Sequence, residues 1–274
     1  MSHIHSFFFL LLGAILISSC KDSISKDSEK KAVEFEQTEE ITQDSSMVEV
    51  DSISQDLLLG RFDPAKDTSF EKLTSTHAAG SALGAYLNKE CLAKFKEMHA
   101  AAKAEGITLT IRSATRNFFR QKQIWEAKWT GARKVGGKNL SKSLPDPAER
   151  ASEILLFSSM PGTSRHHWGT DLDINSFENS YFESGKGLKE YTWLKTHAAT
   201  YGFGQPYTSK GEDREFGYEE EKWHWSYLPI AKKYLAAYGR QIEIEDIKGF
   251  KGAEVAEELK VIERYVFGIA PECK

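Results

Sequence analysis

Ser164-Arg165-His166-His167-Trp168-Gly169-Thr170-Asp171-Leu172-Asp173-Ile174-Asn175 brings two imidazoles, two carboxylates and a glycine into the ten residues 164–173. A second cluster, Glu221-Lys222-Trp223-His224-Trp225, follows about fifty residues downstream. Together they predict that His166, Asp173 and His224 hold one zinc ion, with Glu221 beside it as a proton carrier. Zinc takes imidazole nitrogen and carboxylate oxygen at about 2.0–2.2 Å, so its ligands must nearly touch. His166 and Asp173 are seven residues apart. A straight strand would separate them by roughly 23 Å, a helix by about 10 Å. The chain must fold back between them, and Gly169, which tolerates positive φ, permits this. After the turn, Leu172 and Ile174 alternate with Asp173 and Asn175, the pattern of a strand with one polar face. Three protein ligands leave a fourth position open, as catalytic zinc sites do. A histidine pair beside a tryptophan is on its own more often a surface loop or a core cluster. The conjunction with Glu221 and with Arg116 selects the metal reading.

The chain has 274 residues, 40% of them hydrophobic and 12% aromatic, enough for one good core plus extras. Its charge is unevenly placed. Residues 21–60 hold eleven acids and four lysines, net −7, within a chain of net −4 whose first twenty residues carry no charged side chain. The remainder is only mildly basic, so nucleic acid is not an expected partner. Of the three cysteines, Cys91 and Cys273 lie far apart with no metal-binding spacing. They either pair in an oxidising compartment or stay free.

Residues 7–17, Phe-Phe-Phe-Leu-Leu-Leu-Gly-Ala-Ile-Leu-Ile, are too few to span a bilayer, which needs about twenty. They suit the core of a signal peptide. Ile17-Ser18-Ser19-Cys20 follows and resembles the bacterial lipobox, which implies that Cys20 is lipidated and begins the mature protein. One departure is the absence of Lys or Arg before Phe7. Residues 21–60, polar and poor in aromatics, are expected to be a disordered tether with a typical span of about 35 Å.

The folded part is expected to begin between Leu57 and Phe70. Leu87 to Ala104 shows helical periodicity, with Leu92, Phe95, Met98 and Ala102 on one face, and Gly106 ends it. Ile107 to Ile111 reads as a strand. A helix runs on from Arg116-Asn117-Phe118-Phe119-Arg120-Gln121 through Trp129, residues 131–150 read as loop, and 151–160 as a short apolar helix or strand. Leu188 to Tyr201 reads as a helix, with short strands expected at 202–207 and 216–218. Lys222 to Tyr227 reads as the strand carrying His224. On an ideal strand Glu221 would face away from His224, so a bend is needed there. Pro229 to Tyr238 and Ala253 to Val266 read as C-terminal helices.

Three motifs in this order resemble the zinc D-alanyl-D-alanine carboxypeptidase and dipeptidase family of bacterial cell-wall enzymes. The family's S-x-H-x-x-G-x-A-x-D falls on Ser164, His166, Gly169 and Asp173. Its E-x-W-H falls on Glu221, Trp223 and His224. Its S-G-Y-R-x-x-x-x-Q falls on Ser113, Arg116 and Gln121, with Ala114 and Thr115 in place of Gly and Tyr. The clearest departure is Asp171, where the family usually has Ala. The resemblance covers roughly residues 70–230. It implies an α+β fold: a small, mostly antiparallel sheet with packed helices carrying a single zinc site. The organisation expected is a lipoprotein signal peptide at 1–20, a tether at 21–60, the peptidase domain at 61–235 and a helical extension at 236–274.

The chemistry implied is hydrolysis of the terminal D-Ala peptide bond of peptidoglycan stem peptides. Zinc lowers the pKa of its bound water towards about 7, Glu221 takes that proton and passes it to the leaving amine, and Arg116 stabilises the oxyanion beside the metal. Ser164 and Gln121 are placed for substrate hydrogen bonds, and His167 and Trp168 for lining or packing the site. The alternatives are an endopeptidase cutting inside the stem or cross-bridge, a dipeptidase acting on free D-Ala-D-Ala, and a noncatalytic zinc-containing cell-wall-binding module. A lipidated Cys20 would make the membrane a partner and place the enzyme on the periplasmic or cell-surface side.

Overall fold

The computed structural model describes residues 52–274. The apolar segment at 7–17, Cys20 and the tether up to residue 51 lie outside the described residues. Two antiparallel sheets organise the rest. A small one pairs β1 (Phe70–Lys72) with β2 (Tyr86–Asn88). The larger contains β3 (Ile111–Ser113), β4 (Asp171–Ile174), β5 (Phe203–Gly204) and β6 (His224–Tyr227), in the order β3-β4-β6-β5. Helices pack against it, which is the α+β arrangement expected.

One face of the larger sheet is apolar. Leu172, Ile174, Trp225 and Tyr227 point into a core shared with Leu92, Phe95 and Met98 of helix α2 (Lys89–Ala104). Asn88 caps α2, its side chain accepting from the Glu90 and Cys91 amides. The helix ends as its sequence predicts, but the residue after Gly106 does not start a strand. Gly106 N–H reaches Lys103 O and Ile107 N–H reaches Ala102 O, the paired bonds of a Schellman cap. The apolar side chain of Ile107 belongs to that cap, so β3 begins only at Ile111.

The other face is polar. Asp173 lies directly opposite His224, and Ser113 opposite Asp173, while Asp171 faces Ser226 one pleat along. An irregularity between Ile111 and Ser113 lets Ile111 pair with Ile174 and still sets Ser113 beside Asp173, as a bulge does. All four residues of β4 are buried, so the strand is not half-exposed. Asn175 leaves the ladder at φ 65° and uses its amide to bind the Thr110 N–H and Thr108 O.

A second core lies beyond the polar face. It joins Phe118, Trp125 and Trp129 of α3 (Phe118–Trp129) to Trp168, Tyr218, Leu235 and the C-terminal Val255, Val261 and Ile269. Two short helices, Leu140–Ser143 and Pro147–Ile154, occupy part of the stretch expected to be loop. The second starts with Asp146 as N-cap and Pro147 in its first turn. Of the short strands expected at 202–207 and 216–218, only Phe203–Gly204 forms. The expected helix at 253–266 is instead a 3-10 turn at Ala253–Val255 and a π-turn at Ile262–Val266. The helix Leu228–Gln241 spans residue 235.

The folded part includes residues before the expected start at Leu57. Helix α1, Gln55–Leu58, is a single turn whose Leu58 is fully buried. Leu58 O accepts from Trp168 Nε1 at 3.1 Å, and Gly60 O from the Phe118 amide at 2.7 Å. Cys91 and Cys273 are both buried and unbridged.

Candidate metal centre

Arg165–Trp168 forms one 3-10 turn, and Gly169, at φ 70°, reverses the chain into β4. A Cβ at Gly169 would sit 2.2 Å from Phe70 Cε1, so space as well as φ demands glycine. The reversal brings His166 over Asp173, and cross-strand pairing adds His224. One ligand atom from each of the three falls within 4.8 Å of the others, and all three residues are buried.

The outer contacts of the two imidazoles fix which nitrogen faces inward. His166 Nδ1 lies 2.9 Å from Ala114 O, an acceptor only, so it carries the hydrogen and Nε2 presents a lone pair. His224 Nε2 lies 2.9 Å from Asp171 Oδ2, which leaves Nδ1 facing inward. Asp173 Oδ1 is 3.4 Å from His166 Nε2 and 3.3 Å from His224 Nδ1, yet it is buried with no hydrogen-bond donor among the described residues. Two lone pairs and an anion turned towards one another in a dry space are satisfied by a cation. The donor set, two nitrogens and one carboxylate oxygen, is one that zinc accepts.

Glu221 precedes β6 in a turn closed by His224 N–H to Glu221 O. That turn supplies the expected bend and sets Glu221 Oε2 3.2 Å from His224 Nδ1. Burial pushes the Glu221 carboxyl above its ordinary range, against the pull of the neighbouring His224. Arg116 is pinned at both ends. Its backbone N–H reaches His166 O, and its guanidinium donates to Ser113 Oγ at 2.6 Å and Gln121 Oε1 at 3.1 Å, with Asp173 Oδ2 at 3.7 Å. Ser164 is buried, and its hydroxyl has no partner among the described residues. Gln121 gives its other amide end to Ser159 O at 2.8 Å, so it holds Arg116 in place rather than standing free for a ligand. His167 stands apart from the cluster. It donates from Nδ1 to Arg116 O and accepts at Nε2 from the Gly162 amide, and burial takes its pKa down to about 3.

Asp171 resolves differently from what its position in the motif suggests. It does not face the open side of the metal centre. Its carboxylate lies behind His224 and accepts from Arg165 Nε at 2.9 Å, Ser226 Oγ at 2.8 Å and Thr170 Oγ1 at 2.8 Å as well as from His224. Arg165 and Asp171 are both completely buried. The guanidinium compensates the carboxylate, and the carboxylate orients the imidazole, a common outer-shell device at metal sites. Neither Arg165 nor Ser226 is marked by the motifs. The only sequence signal is an opposite-charge pair six residues apart across a glycine turn.

A family model described as VanY, D-alanyl-D-alanine carboxypeptidase, matches residues 84–230. The YodJ protein of Bacillus subtilis strain 168 is 32% identical over 147 residues, 52% of this chain and 46% of that one. A D-alanyl-D-alanine carboxypeptidase of Enterococcus faecalis strain V583 is 24% identical over 164 residues, 60% of this chain and 53% of that one. The chain thus spans about half the length of the curated relatives it matches. Among solved structures, VanYB in complex with D-alanine-D-alanine superposes with a TM-score of 0.44 at 22% identity, covering 64% of this chain and 84% of that one. The LdcB LD-carboxypeptidase gives 0.45 at 21% identity over 75% and 81%.

Proposed function

The chain belongs to the VanY D-alanyl-D-alanine carboxypeptidase family, and on that premise we propose that it is a zinc-dependent carboxypeptidase acting on the terminal D-Ala peptide bond of peptidoglycan stem peptides. The observation that carries the zinc reading is the donorless Asp173 Oδ1 between two inward-facing imidazole nitrogens. Zinc bound there would act as a Lewis acid and lower the pKa of a coordinated water towards about 7. Glu221 takes the proton of the attacking water and delivers it to the leaving amine. Burial raises its pKa, the direction that helps a carboxylate accept and then return a proton. Arg116, held by Ser113 and Gln121, would stabilise the oxygen that becomes negative. The free hydroxyl of Ser164 is available to hold the peptide.

Incubation with defined muropeptides, followed by mass spectrometry, should show loss of a single terminal D-Ala. Cuts inside the stem or cross-bridge, turnover of free D-Ala-D-Ala alone, or no product at all would each replace this reading. Metal analysis should find about one zinc per chain. Replacing His166, Asp173 or His224 by Ala should release most of it, and retention by all three variants would sink the site. Arg116→Lys keeps the charge but loses the planar fork. A drop of roughly tenfold or more in kcat is expected, since an oxyanion donor is commonly worth 10²–10³; unchanged kinetics would make Arg116 a structural residue.

The proposed location follows from the lipobox resemblance at Cys20. One acyl chain holds a protein only marginally at a membrane, whereas two or more hold it stably. No helix among the described residues is long and apolar enough to cross a bilayer, so a membrane-bound protein would depend on the amino-terminal segment. Growth with a fatty-acid analogue should label the wild type and not Cys20→Ala. An unlabelled wild type would mean that Cys20 carries no lipid.

A further inference from the structure

Glu221 lies outside the sheet, since β6 begins only at His224. The two peptide planes that flank it are nevertheless bonded at all four of their polar groups. In the plane before Glu221, Glu220 O accepts from Asn179 Nδ2 at 2.7 Å and Glu221 N–H donates to Tyr207 O at 2.9 Å. In the plane after it, Glu221 O accepts from Gln205 Nε2 at 3.2 Å and from the His224 amide, and Lys222 N–H donates to Asn179 Oδ1 at 3.1 Å. One side-chain amide, that of Asn179, therefore bridges the two planes.

A peptide plane is rigid, and the residue between two planes turns only about φ and ψ. Holding both planes fixes those angles for Glu221, and with them the direction in which its Cβ leaves the chain. That direction underlies the 3.2 Å approach of Glu221 Oε2 to His224 Nδ1. The bridge needs an amide, because only Asn or Gln carries a donor and an acceptor on one planar group. Asn179 is itself anchored. It opens the 3-10 turn Asn179–Glu183, whose Phe182 is buried and whose Tyr181 hydroxyl donates to Glu190 Oε2 at 2.8 Å. Gln205 is buried and accepts the Tyr191 hydroxyl at Oε1, which turns its Nε2 towards Glu221 O. An asparagine that merely closed its own turn would bond nearby. Both side-chain bonds of Asn179 instead cross to residues 41 and 43 positions away, one on each side of the proton carrier. None of the three motifs marks it.

We propose that Asn179 is a positioning residue for Glu221: by bridging the peptides before and after it, the Asn179 amide aims the carboxylate at the metal centre and holds it there while the proton is taken and returned. The inference rests on the peptidase reading above and adds a residue that acts only through Glu221. Without the bridge, the Glu220 carbonyl and the Lys222 amide turn to water, the bend gains freedom about φ and ψ, and the carboxylate spends less time at reacting distance. A misplacement of about 1 Å at a reacting group can cost on the order of 10²-fold in rate. The loss falls on kcat rather than KM, because the bridge touches the backbone of the proton carrier and not the peptide to be cut.

The test is a double-mutant cycle in the full zinc-loaded chain, read as turnover of a muropeptide ending in D-Ala-D-Ala. Asn179→Ala should lower kcat about 10–100-fold, with KM and zinc content little changed. Introduced into Glu221→Gln it should lower kcat no further, because two residues that act through one group are not additive. Amide exchange gives a readout independent of turnover: the Lys222 N–H should be protected in the wild type and exchange faster in Asn179→Ala. Asn179→Asp keeps the acceptor for Lys222 and loses the donor to Glu220 O, so it should retain that protection and still lose kcat. It also carries the cycle if the alanine variant does not fold. No loss of kcat, equal losses in both backgrounds, a loss confined to KM, or unchanged Lys222 exchange in Asn179→Ala would overturn this inference and leave the peptidase reading intact. A wild-type chain that cuts no such peptide, or a Glu221→Gln chain with near-normal turnover, would remove the reading it rests on and this inference with it.

Discussion

Glu221→Gln should keep its zinc and its fold and lose about 10²–10⁴ in kcat, the usual share of general acid–base catalysis. Three features lead to this expectation. The carboxylate lies beside the metal ligands but outside the triad, with Oε2 3.2 Å from His224 Nδ1. It is almost completely enclosed, and burial raises its pKa. Its backbone is held independently of the side chain, N–H to Tyr207 O and carbonyl to Gln205 Nε2, so an amide of the same shape should leave the turn unaltered. Metal content and kcat measured on one preparation decide it. Near-normal turnover would mean another group carries the proton, and loss of zinc would make Glu221 a ligand.

Asp171→Ala should cost about 3–5 kcal/mol of stability, the penalty for stripping one partner from a buried ion pair. Arg165, with no exposed surface, would keep its charge and lose its carboxylate. For a domain of this size each kcal/mol lowers Tm by roughly 2–4 °C, so a fall of about 6–20 °C should appear in a melting curve. A second effect is separable. His224 would lose the acceptor that fixes its tautomer, and zinc affinity should fall about 10–100-fold. Combining Asp171→Ala with Arg165→Met removes the orphaned charge. It should restore most of the stability and little of the zinc affinity, measured against a competing chelator. Recovery of both would show that Asp171 serves the fold alone.

Part of the candidate metal centre's geometry was legible in the sequence because the turn between His166 and Asp173 is local. Gly169 had to reverse the chain for His166 and Asp173 to meet, and at φ 70° it does. Glu221 had to lie on a bend to face the same way as His224, and a turn supplies it. The α2 face of Leu92, Phe95, Met98 and Ala102 is buried as its period dictated. Asp171 was visible as a departure from the family pattern, but its direction was not. On a strand buried on both faces, side-chain polarity does not reveal which neighbours a residue meets. Ile107 misled for a related reason, since an apolar residue after a glycine serves a helix cap as well as a strand. Gln121 was expected to meet substrate, whereas its amide holds Arg116 and the chain at Ser159. The C-terminal stretch carries too weak a period to separate α-helix from 3-10 and π turns. Its packing is set by distant partners such as Trp125, whose indole reaches Lys251 O.

The short turn at Gln55–Leu58 has a consequence for where the minimal folding unit must be cut. A fragment trimmed to the family match at 84–230 would remove the carbonyl that Trp168 donates to and the partner of the Phe118 amide. It would also remove the Gly60 backbone lying against His167, three positions from Ser164 and adjacent to His166 along the chain. At the other end it would strip Val255, Val261 and Ile269 from the core behind Trp125. A fragment that keeps these contacts must run at least from Leu58 to Ile269.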